Sequence, residues 1–364
     1  MQIFQHSLPN PYKIARYFAK TAVQALYDEV ALYPKPGLVS FVDSGAHQDM
    51  NGALFFRSLF GLRHYFYQVG LHTALGYSPK NLVTFGLNAE KTMLKITGGI
   101  NTHRGAIFAL GILCTSICKL SVKYHAFSIE DLHYAIIDQW AQYLEKEHQN
   151  TDTHGTLVTK KYAVHDAKQT AIEGYKPVFD TYNELLNMTH DQTFFGLLTY
   201  QRLLLTIDDI NILYRTGPEG LEFARYHVQQ GICQNNREKS IQKAIELHQL
   251  FSKKNISPGR SRYVRLNLFF TACFLKRSQM KILFLFAGQG YHADSLFDIF
   301  RTDKKTMNLL KIMSSAAEID FLQNDLEMTN PHSVQSIIGA YQLTLFQDCC
   351  RSSQTTKLTW LVTV

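Results

Sequence analysis

Amphipathic segments separated by short polar loops fill roughly the first 255 residues of this chain. Within each segment, apolar residues recur three and four positions apart, which places them on one face of a helix. Glycine and proline, the residues that interrupt helices, number 21 and 9 among 364 residues. That share is about 8%, against about 12% in average proteins. With 46% apolar residues, the chain is predicted to be all-α with a large core.

Eight stretches carry the helical spacing. Pro34 is expected to end the first of them, and Ser128 with Asp131 resembles a capping box. One stretch, Gly105–Leu120, is apolar on nearly all sides and is predicted to lie at the centre of the fold. No alternating strand pattern is found in this region, which is predicted to be nearly all helix. The predicted helices cover Ile14–Val30, Leu54–Val69, Asn88–Ile96, Gly105–Leu120, Leu132–Tyr143, Phe195–Ile212, Leu221–Gly231 and Glu238–Phe251.

The net charge of +7 is concentrated in one segment. Gly259–Lys281 contains six basic residues and no acidic one, which leaves +1 for the rest of the chain. A nucleic-acid-binding protein usually spreads basic residues over a whole face. The charge distribution therefore argues against a nucleic-acid partner.

Cysteine usage and apolar runs indicate the compartment. Six cysteines are too few for a disulfide scaffold, and Cys114 with Cys118 lies in an apolar run typical of core packing. The longest apolar run, Ala106–Cys118, is shorter than the roughly 20 residues that span a membrane. Residues 1–10 show no signal-peptide pattern. We expect a cytoplasmic protein with no membrane partner.

The pattern changes after Met280. Lys281–Ala287 reads as a short buried strand, and a glycine turn and a predicted helix from Asp294 follow it. A length of 364 residues also fits two domains of roughly 150 residues or more. We predict a helical domain with an active-site cleft over residues 1–279, of which 259–279 are atypical. A small, incomplete α/β tail is predicted over 280–364.

The segment Glu29–Asn51, called here the first polar segment, interrupts the helical pattern. Lys35 lies between two prolines, which stiffen the backbone and hold its ammonium in a fixed place. His47 and Asp49 follow on a loop that leads into the second predicted helix. Taken alone, His47 is better interpreted as a hydrogen-bonded loop residue than as a catalytic base, and a solvated surface charge is the alternative for Lys35.

The second polar segment, Thr97–Gly105, comes directly before the central helix. A glycine-rich backbone at a helix N-terminus, followed by an arginine, suits a phosphate group. A plain connection is the alternative for this segment taken alone. Because two such segments occur in an otherwise simple helical chain, we expect both to face one cleft.

These segments resemble the triphosphoribosyl-dephospho-coenzyme A synthases. The resemblance spans about Tyr12 to Gly259. Ser40 and Asn51 look more like the malonate decarboxylase branch of this family than the citrate lyase branch. The long motifs are Tyr33–Val39, Gly45–Met50 and Gly98–Phe108, and the weaker ones are Thr153–Gly155, Ala167–Gly174, Asp209–Arg215 and Ile256–Gly259.

The resemblance implies a reaction. The 2′-hydroxyl of 3′-dephospho-coenzyme A attacks the anomeric carbon of the ATP ribose, and adenine leaves. The triphosphoribosyl product would pass to the holo-acyl carrier protein synthase of malonate decarboxylase. No permanently bound cofactor is implied, but Mg²⁺ is expected to accompany ATP, and no metal ligands are assigned.

This chemistry needs a base for the hydroxyl, an acid for adenine and cations for the triphosphate. The resemblance suggests Asp49 or Glu29 as the base or as a stabiliser of the cationic sugar. His47 or His103 would protonate adenine. The candidates for binding substrate phosphates are Lys35, Gly98, Gly99, Asn101, Arg104 and Arg215.

The chain departs from the family pattern after Gly259. Family members continue with Gly-Ser-Ala-Asp-Leu-Leu-Ala, whereas residues 260–265 read Arg-Ser-Arg-Tyr-Val-Arg, which removes a carboxylate near the expected site. Met280–Gly290 resembles the start of a malonyl-coenzyme A:acyl carrier protein transacylase, without that family's Gly-x-Ser-x-Gly elbow. Two alternatives therefore remain: a malonyl-coenzyme A acyltransferase fragment, or a catalytically impaired nucleotide-binding helical protein.

Overall fold

A computed structural model of the chain describes residues 3–5, 10–147, 154–189, 191–231, 236–259 and 263–274. These residues form helices and one small sheet, so the all-α prediction is confirmed. The predicted α/β tail and the domain boundary near residue 279 lie outside the described residues. The elements are β1 (Ile3–Gln5), α1 (Pro11–Ala31), α2 (Gly52–Gly61), α3 (Arg63–Ala74), α4 (Pro79–Thr97), α5 (Arg104–Lys123), β2 (Ala126–Ser128), α6 (Ile129–Glu147), α7 (His154–Tyr162), α8 (Ala167–Ile172), α9 (Lys176–Leu185), α10 (Gln192–Thr206), α11 (Ile210–Gly231), α12 (Arg237–Lys253) and α13 (Val264–Phe274).

The sheet is a short antiparallel pair that the sequence did not predict. β1 pairs with β2, with Phe4 opposite Phe127. Three-residue strands are too short to show the alternation of apolar and polar residues by which a strand is recognised in a sequence. The Phe4 ring lies 5.4 Å from that of Phe18 and anchors the pair to α1.

Helix starts follow from local capping. The Asn10 side chain accepts a hydrogen bond from the Lys13 amide at 3.0 Å, with Pro11 at the first helical position of α1. The expected capping box before α6 is confirmed. The Ser128 amide donates to Asp131 Oδ2 at 2.7 Å, and the Asp131 amide donates to Ser128 Oγ at 3.0 Å.

Two predicted helices are each divided in two. The stretch predicted over 54–69 forms α2 and α3, which meet at Leu62, and the stretch over 195–212 breaks between α10 and α11. Leu62 and Ile207 are both buried, so the apolar spacing continues across each break. Spacing alone therefore gave no sign of these ends.

Helix α5 is central, as its sequence predicts. It contacts α1, α3, α4 and α6, and every residue from Ala109 to Cys118 is buried. By length and composition it is the one helix of the described residues that passes the test for a membrane span, and 72% of that stretch is buried inside the protein.

Within the atypical segment, residues 264–274 form a buried helix, α13. It packs on α1, α9 and α10, and Phe269 and Phe270 are fully buried. Arg265, Asn267 and Thr271 are also buried in it. The segment that departs from the family pattern thus contributes to the core, although it brings polar side chains with it.

Candidate active site

Two distant parts of the chain meet the first polar segment. One comprises residues 209–215 at the start of α11, and the other comprises residues 256–259 after α12. Arg215 Nη2 donates to the Ala46 carbonyl at 3.1 Å across 169 positions of sequence. The three motifs, which the sequence shows separately, therefore form one cluster in space.

Asp209 ties the two distant parts together. Its fully buried carboxylate oxygen Oδ1 accepts amide hydrogens from Asn211 and Gly259 at 3.0 Å each and from Ile212 at 3.1 Å. The Asn211 side chain donates to the Ser257 carbonyl at 2.8 Å. Carboxylate bonds to backbone amides at a helix start are strong, so this joint is rigid.

Gly37 allows the first polar segment to approach residues 256–259. Its φ is +75°, and a Cβ at this position would collide with the Ile256 carbonyl. Tyr200 Oη donates to the adjacent Pro36 carbonyl at 2.7 Å. The turn is thus held by the Ile256 backbone on one side and by the Tyr200 hydroxyl on the other.

Glu29 and Lys35, which the sequence suggested for separate roles, form one buried ion pair. Lys35 Nζ lies 2.8 Å from Glu29 Oε1 and also donates to the Glu29 carbonyl, in the last turn of α1. Arg265 Nη2 lies 3.9 Å from Glu29 Oε2. Because all three side chains are at most 5% exposed, pairing is what allows these charges to remain buried.

His47 lies between Ser257 and Asp49. Its Nε2 is 2.8 Å from Ser257 Oγ, and its Nδ1 is 3.7 Å from Asp49 Oδ1. The His47 side chain is 10% exposed, whereas that of Asp49 is 60% exposed. A fixed imidazole next to an open carboxylate can exchange protons with a molecule bound beside the loop.

The second polar segment presents an open backbone. Gly98 and Gly99 have φ of +66° and +91°, and among the described residues no atom beyond the adjoining ones would lie within 4 Å of a Cβ on either. Asn101 Oδ1 accepts from the Arg104 amide at 3.1 Å. The Arg104 guanidinium is half-exposed and pairs with Glu90 of α4.

His103 is buried against α2. Its Nδ1 lies 2.8 Å from Ser58 Oγ and 3.1 Å from Thr102 Oγ1, and its ring stacks edge-on against Phe55 at 4.9 Å. Phe55 also packs with Val39 of the first polar segment. Helix α2 therefore lies between the two polar segments. That both face one cleft stays a prediction, since Arg104 and Asn101 bond within their own segment and to α4.

Metal-binding geometry was sought across the described ranges. No group of three or more His, Cys, Asp or Glu side chains there is placed to hold a metal ion. Burial raises the pKa of the Cys114, Cys118 and Cys273 thiols. These thiols are free and protonated core residues, as predicted for Cys114 and Cys118.

Several site residues were missed by the sequence reasoning. Asp209 and Ser257 lie inside the weaker motifs. The signal for Asp209 was its position directly before the start of a helix, and the signal for Ser257 was the proline that follows it. Arg265 appeared only as one of a run of basic residues. His248 of α12, which bonds to the first polar segment, had no local signal at all.

Comparison with known proteins identifies the class as a transferase. Residues 15–261 match the CitG family, described as ATP:dephospho-CoA triphosphoribosyl transferase. The chain belongs to this family. The match covers most of α1 and all of α2 to α12, and it includes all the residues proposed from sequence for the site.

Individual relatives agree with this assignment. A probable 2-(5''-triphosphoribosyl)-3'-dephosphocoenzyme-A synthase of Acinetobacter calcoaceticus is 31% identical over 247 residues, 65% of this chain and 84% of the relative. A protein of the same name from Photobacterium profundum is 32% identical over 258 residues, 65% of this chain and 81% of the relative. Protein CitXG of Haemophilus influenzae is 29% identical over 291 residues, 72% of this chain and 62% of that protein. No solved structure matches the chain.

Proposed function

We propose that this chain transfers the 5-triphosphoribosyl group of ATP to the 2′-hydroxyl of 3′-dephospho-coenzyme A and releases adenine. The family match supports the reaction. The observation that supports the location is the convergence of residues 209–215 and 256–259 on the first polar segment. That convergence fixes His47 beside the open carboxylate of Asp49.

The reaction exchanges one bond for another at the ribose anomeric carbon. The bond to adenine N9 breaks, and a bond to O2′ of dephospho-coenzyme A forms through an oxocarbenium-like transition state. The hydroxyl proton goes to a base, and adenine takes a proton from an acid. Atoms and charge then balance without an oxidant or reductant.

Exposure ranks the acid and base candidates. Asp49 is open and next to His47, so Asp49 is proposed as base or as stabiliser of the cationic sugar, and His47 as acid. Glu29 and His103 are 2% and 1% exposed. They remain the second candidates for these roles, acting only on a substrate that reaches the interior.

The triphosphate needs several cations. ATP carries about four negative charges, which cannot be buried unpaired. We propose that it arrives with Mg²⁺ and binds Arg104 and Arg215, with Asn101 and the open backbone of Gly98 and Gly99 beside Arg104. Lys35 is proposed to contribute its charge from the ion pair with Glu29.

Finer assignments rest on single residues. Ser40 Oγ accepts from the Val42 amide at 3.1 Å, and Asn51 caps α2 through the Leu54 amide at 3.0 Å. Both residues resemble the malonate decarboxylase branch, so we propose that the product passes to the holo-acyl carrier protein synthase of that system. The buried free thiols support a cytoplasmic enzyme. Residues 280–364 are proposed to be a transacylase-like segment.

The test is adenine release. The full chain is incubated with MgATP and 3′-dephospho-coenzyme A, and adenine and the triphosphoribosyl product are quantified by chromatography and mass spectrometry. Equal amounts of both are expected. Asp49→Asn should abolish release while ATP still binds, since the carboxylate acts only as the new bond forms. Asp138→Asn, at an exposed carboxylate paired with Lys119, should behave as wild type.

Other outcomes would support the alternatives. ATP binding without adenine release would indicate an impaired nucleotide-binding protein, and malonyl transfer would indicate an acyltransferase. A second variant of the chain is therefore tested as well, in which the residues after Gly259 are replaced by the family sequence Gly-Ser-Ala-Asp-Leu-Leu-Ala. Absence of adenine release from both chains would overturn the proposal.

A further inference from the structure

His248 of α12 joins two points of the first polar segment. Its Nδ1 lies 3.0 Å from the Lys35 carbonyl oxygen, and its Nε2 lies 2.7 Å from Asp43 Oδ1. The His248 side chain is 4% exposed, and its ring meets that of Tyr33 edge-on at 5.5 Å. Each bond joins residues more than 200 positions apart in sequence, so the contact depends entirely on the tertiary fold.

The partners of His248 determine its protonation. A backbone carbonyl only accepts hydrogen bonds, so Nδ1 must donate to Lys35. Asp43 Oδ1 already accepts the Gly45 amide hydrogen at 2.8 Å, so this oxygen is an acceptor as well. Nε2 must then also donate. An imidazole that donates from both nitrogens is an imidazolium, and Asp43 is its counter-charge.

The charged and titratable groups around the ring fit this state. Asp43 and Tyr33 face it from the first polar segment, and the Lys35 ammonium is directed to Glu29 instead. Burial and the neighbouring Asp43 charge raise the pKa of Tyr33. Within α12, Ser252 Oγ donates to the His248 carbonyl, which leaves the ring unaffected.

We propose that His248 is a positioning residue of the transfer site. It is a doubly protonated imidazole that fixes the two ends of the turn formed by residues 35–43, at Lys35 and at Asp43, relative to each other. The Lys35 carbonyl also accepts the Leu38 amide at 3.0 Å, and the Asp43 carbonyl accepts the Ser40 amide at 2.9 Å. The turn between them is therefore closed on itself. What His248 fixes is the placement of the whole turn on α12.

The position of this turn also determines the positions of the proposed reacting groups. On one side it sets Lys35, whose ammonium holds Glu29. On the other side Asp43 binds Gly45, and the next residue, Ala46, donates to the Gly37 carbonyl at 3.1 Å. His47 follows directly. The catalytic part of this inference rests on the proposed transferase function, whereas the protonation state of His248 does not.

Two amide substitutions separate the two bonds. In His248→Asn the amide nitrogen takes the place of Nδ1, and in His248→Gln it takes the place of Nε2, so each variant keeps one bond. Each should lower kcat for adenine release at least ~10-fold, because small displacements of reacting groups cost that much or more. KM for ATP should change little. His64→Gln, at an exposed histidine of α3, is the control and should match wild type.

Asp43→Asn tests the charge. Without the carboxylate, the ring loses its counter-charge, so kcat for adenine release should fall as it does in His248→Asn, which lacks the same bond. A wild-type kcat in Asp43→Asn would contradict the proposal.

A readout independent of activity completes the test. In the ¹⁵N-histidine-labelled full chain at pH 7.5, the His248 ring, assigned by its loss in His248→Gln or His248→Asn, should show two protonated nitrogens. One bare nitrogen would overturn the proposal even if wild type releases adenine. Conversely, two protonated nitrogens in a chain that releases no adenine would refute only the transferase function.

Discussion

At the scale of single residues, Lys35 shows how a buried charge is held. The sequence predicts a fixed ammonium between two prolines, and the structure shows it against Glu29 and the end of α1. The pairing itself could not be predicted. Glu29 and Lys35 are six positions apart on either side of a helix end, and no regular geometry relates the side chains of two such positions. Arg265 joins the pair from α13 and was visible only as part of a basic run.

Lys35→Met should strongly destabilise the protein. The substitution leaves Glu29 buried without its nearest cation, which costs about 3–5 kcal/mol of unfolding free energy. Urea denaturation measures this loss. Lys176→Met, which breaks an exposed pair with Asp180, should change stability little. Equal losses of unfolding free energy in the two variants would show that the buried Glu29 pair contributes no more to stability than an exposed pair.

Gly37→Ala should disrupt both stability and adenine release. A Cβ would meet the Ile256 carbonyl in a left-handed backbone conformation, which displaces the neighbouring Ser257. Gly76→Ala is the matched control, since Gly76 also has a positive φ of +92° but open space around it. It should cost only the backbone strain of about 1–2 kcal/mol. The prediction fails if the two variants lose activity to the same extent.

At the scale of elements, the sequence identifies helices well and their ends less well. α5 and the α6 capping box follow directly from apolar spacing and a side-chain motif. The breaks at Leu62 and Ile207 do not, because both residues are buried and continue the apolar face. α13 forms in a segment whose sequence departs from the family, since its apolar residues still fill the core.

Asn267→Leu in α13 should stabilise the protein. Both side-chain polar atoms of Asn267 are buried without a hydrogen-bond partner, and such groups cost about 1–3 kcal/mol. Leucine has the same branched shape and the same number of side-chain heavy atoms and removes this cost, so the urea midpoint should rise. Asn211→Leu is the contrasting variant, because the Asn211 amide binds the Ser257 carbonyl, and it should destabilise. A drop in stability for both variants would contradict this account of α13.

At the scale of the whole molecule, the site depends on contacts between residues far apart in sequence. The first polar segment supplies His47 and Asp49 to the candidate site, and both were candidates from sequence. Ser257 and Arg215 come from segments about 170–210 positions away. The resemblance to one family connects these segments, but only the fold shows which side chains touch. Their meeting therefore could not be derived from spacing along the chain.

Adenine release by Ser257→Ala tests this convergence most directly. The Ser257 hydroxyl lies 2.8 Å from His47 Nε2, so its removal should lower the rate at least ~10-fold at similar Tm. Ser121→Ala is the matched control, because the buried Ser121 hydroxyl has no hydrogen-bond partner, and it should release adenine at the wild-type rate. If Ser257→Ala also releases adenine at the wild-type rate, residues 256–259 do not help to form the transfer site.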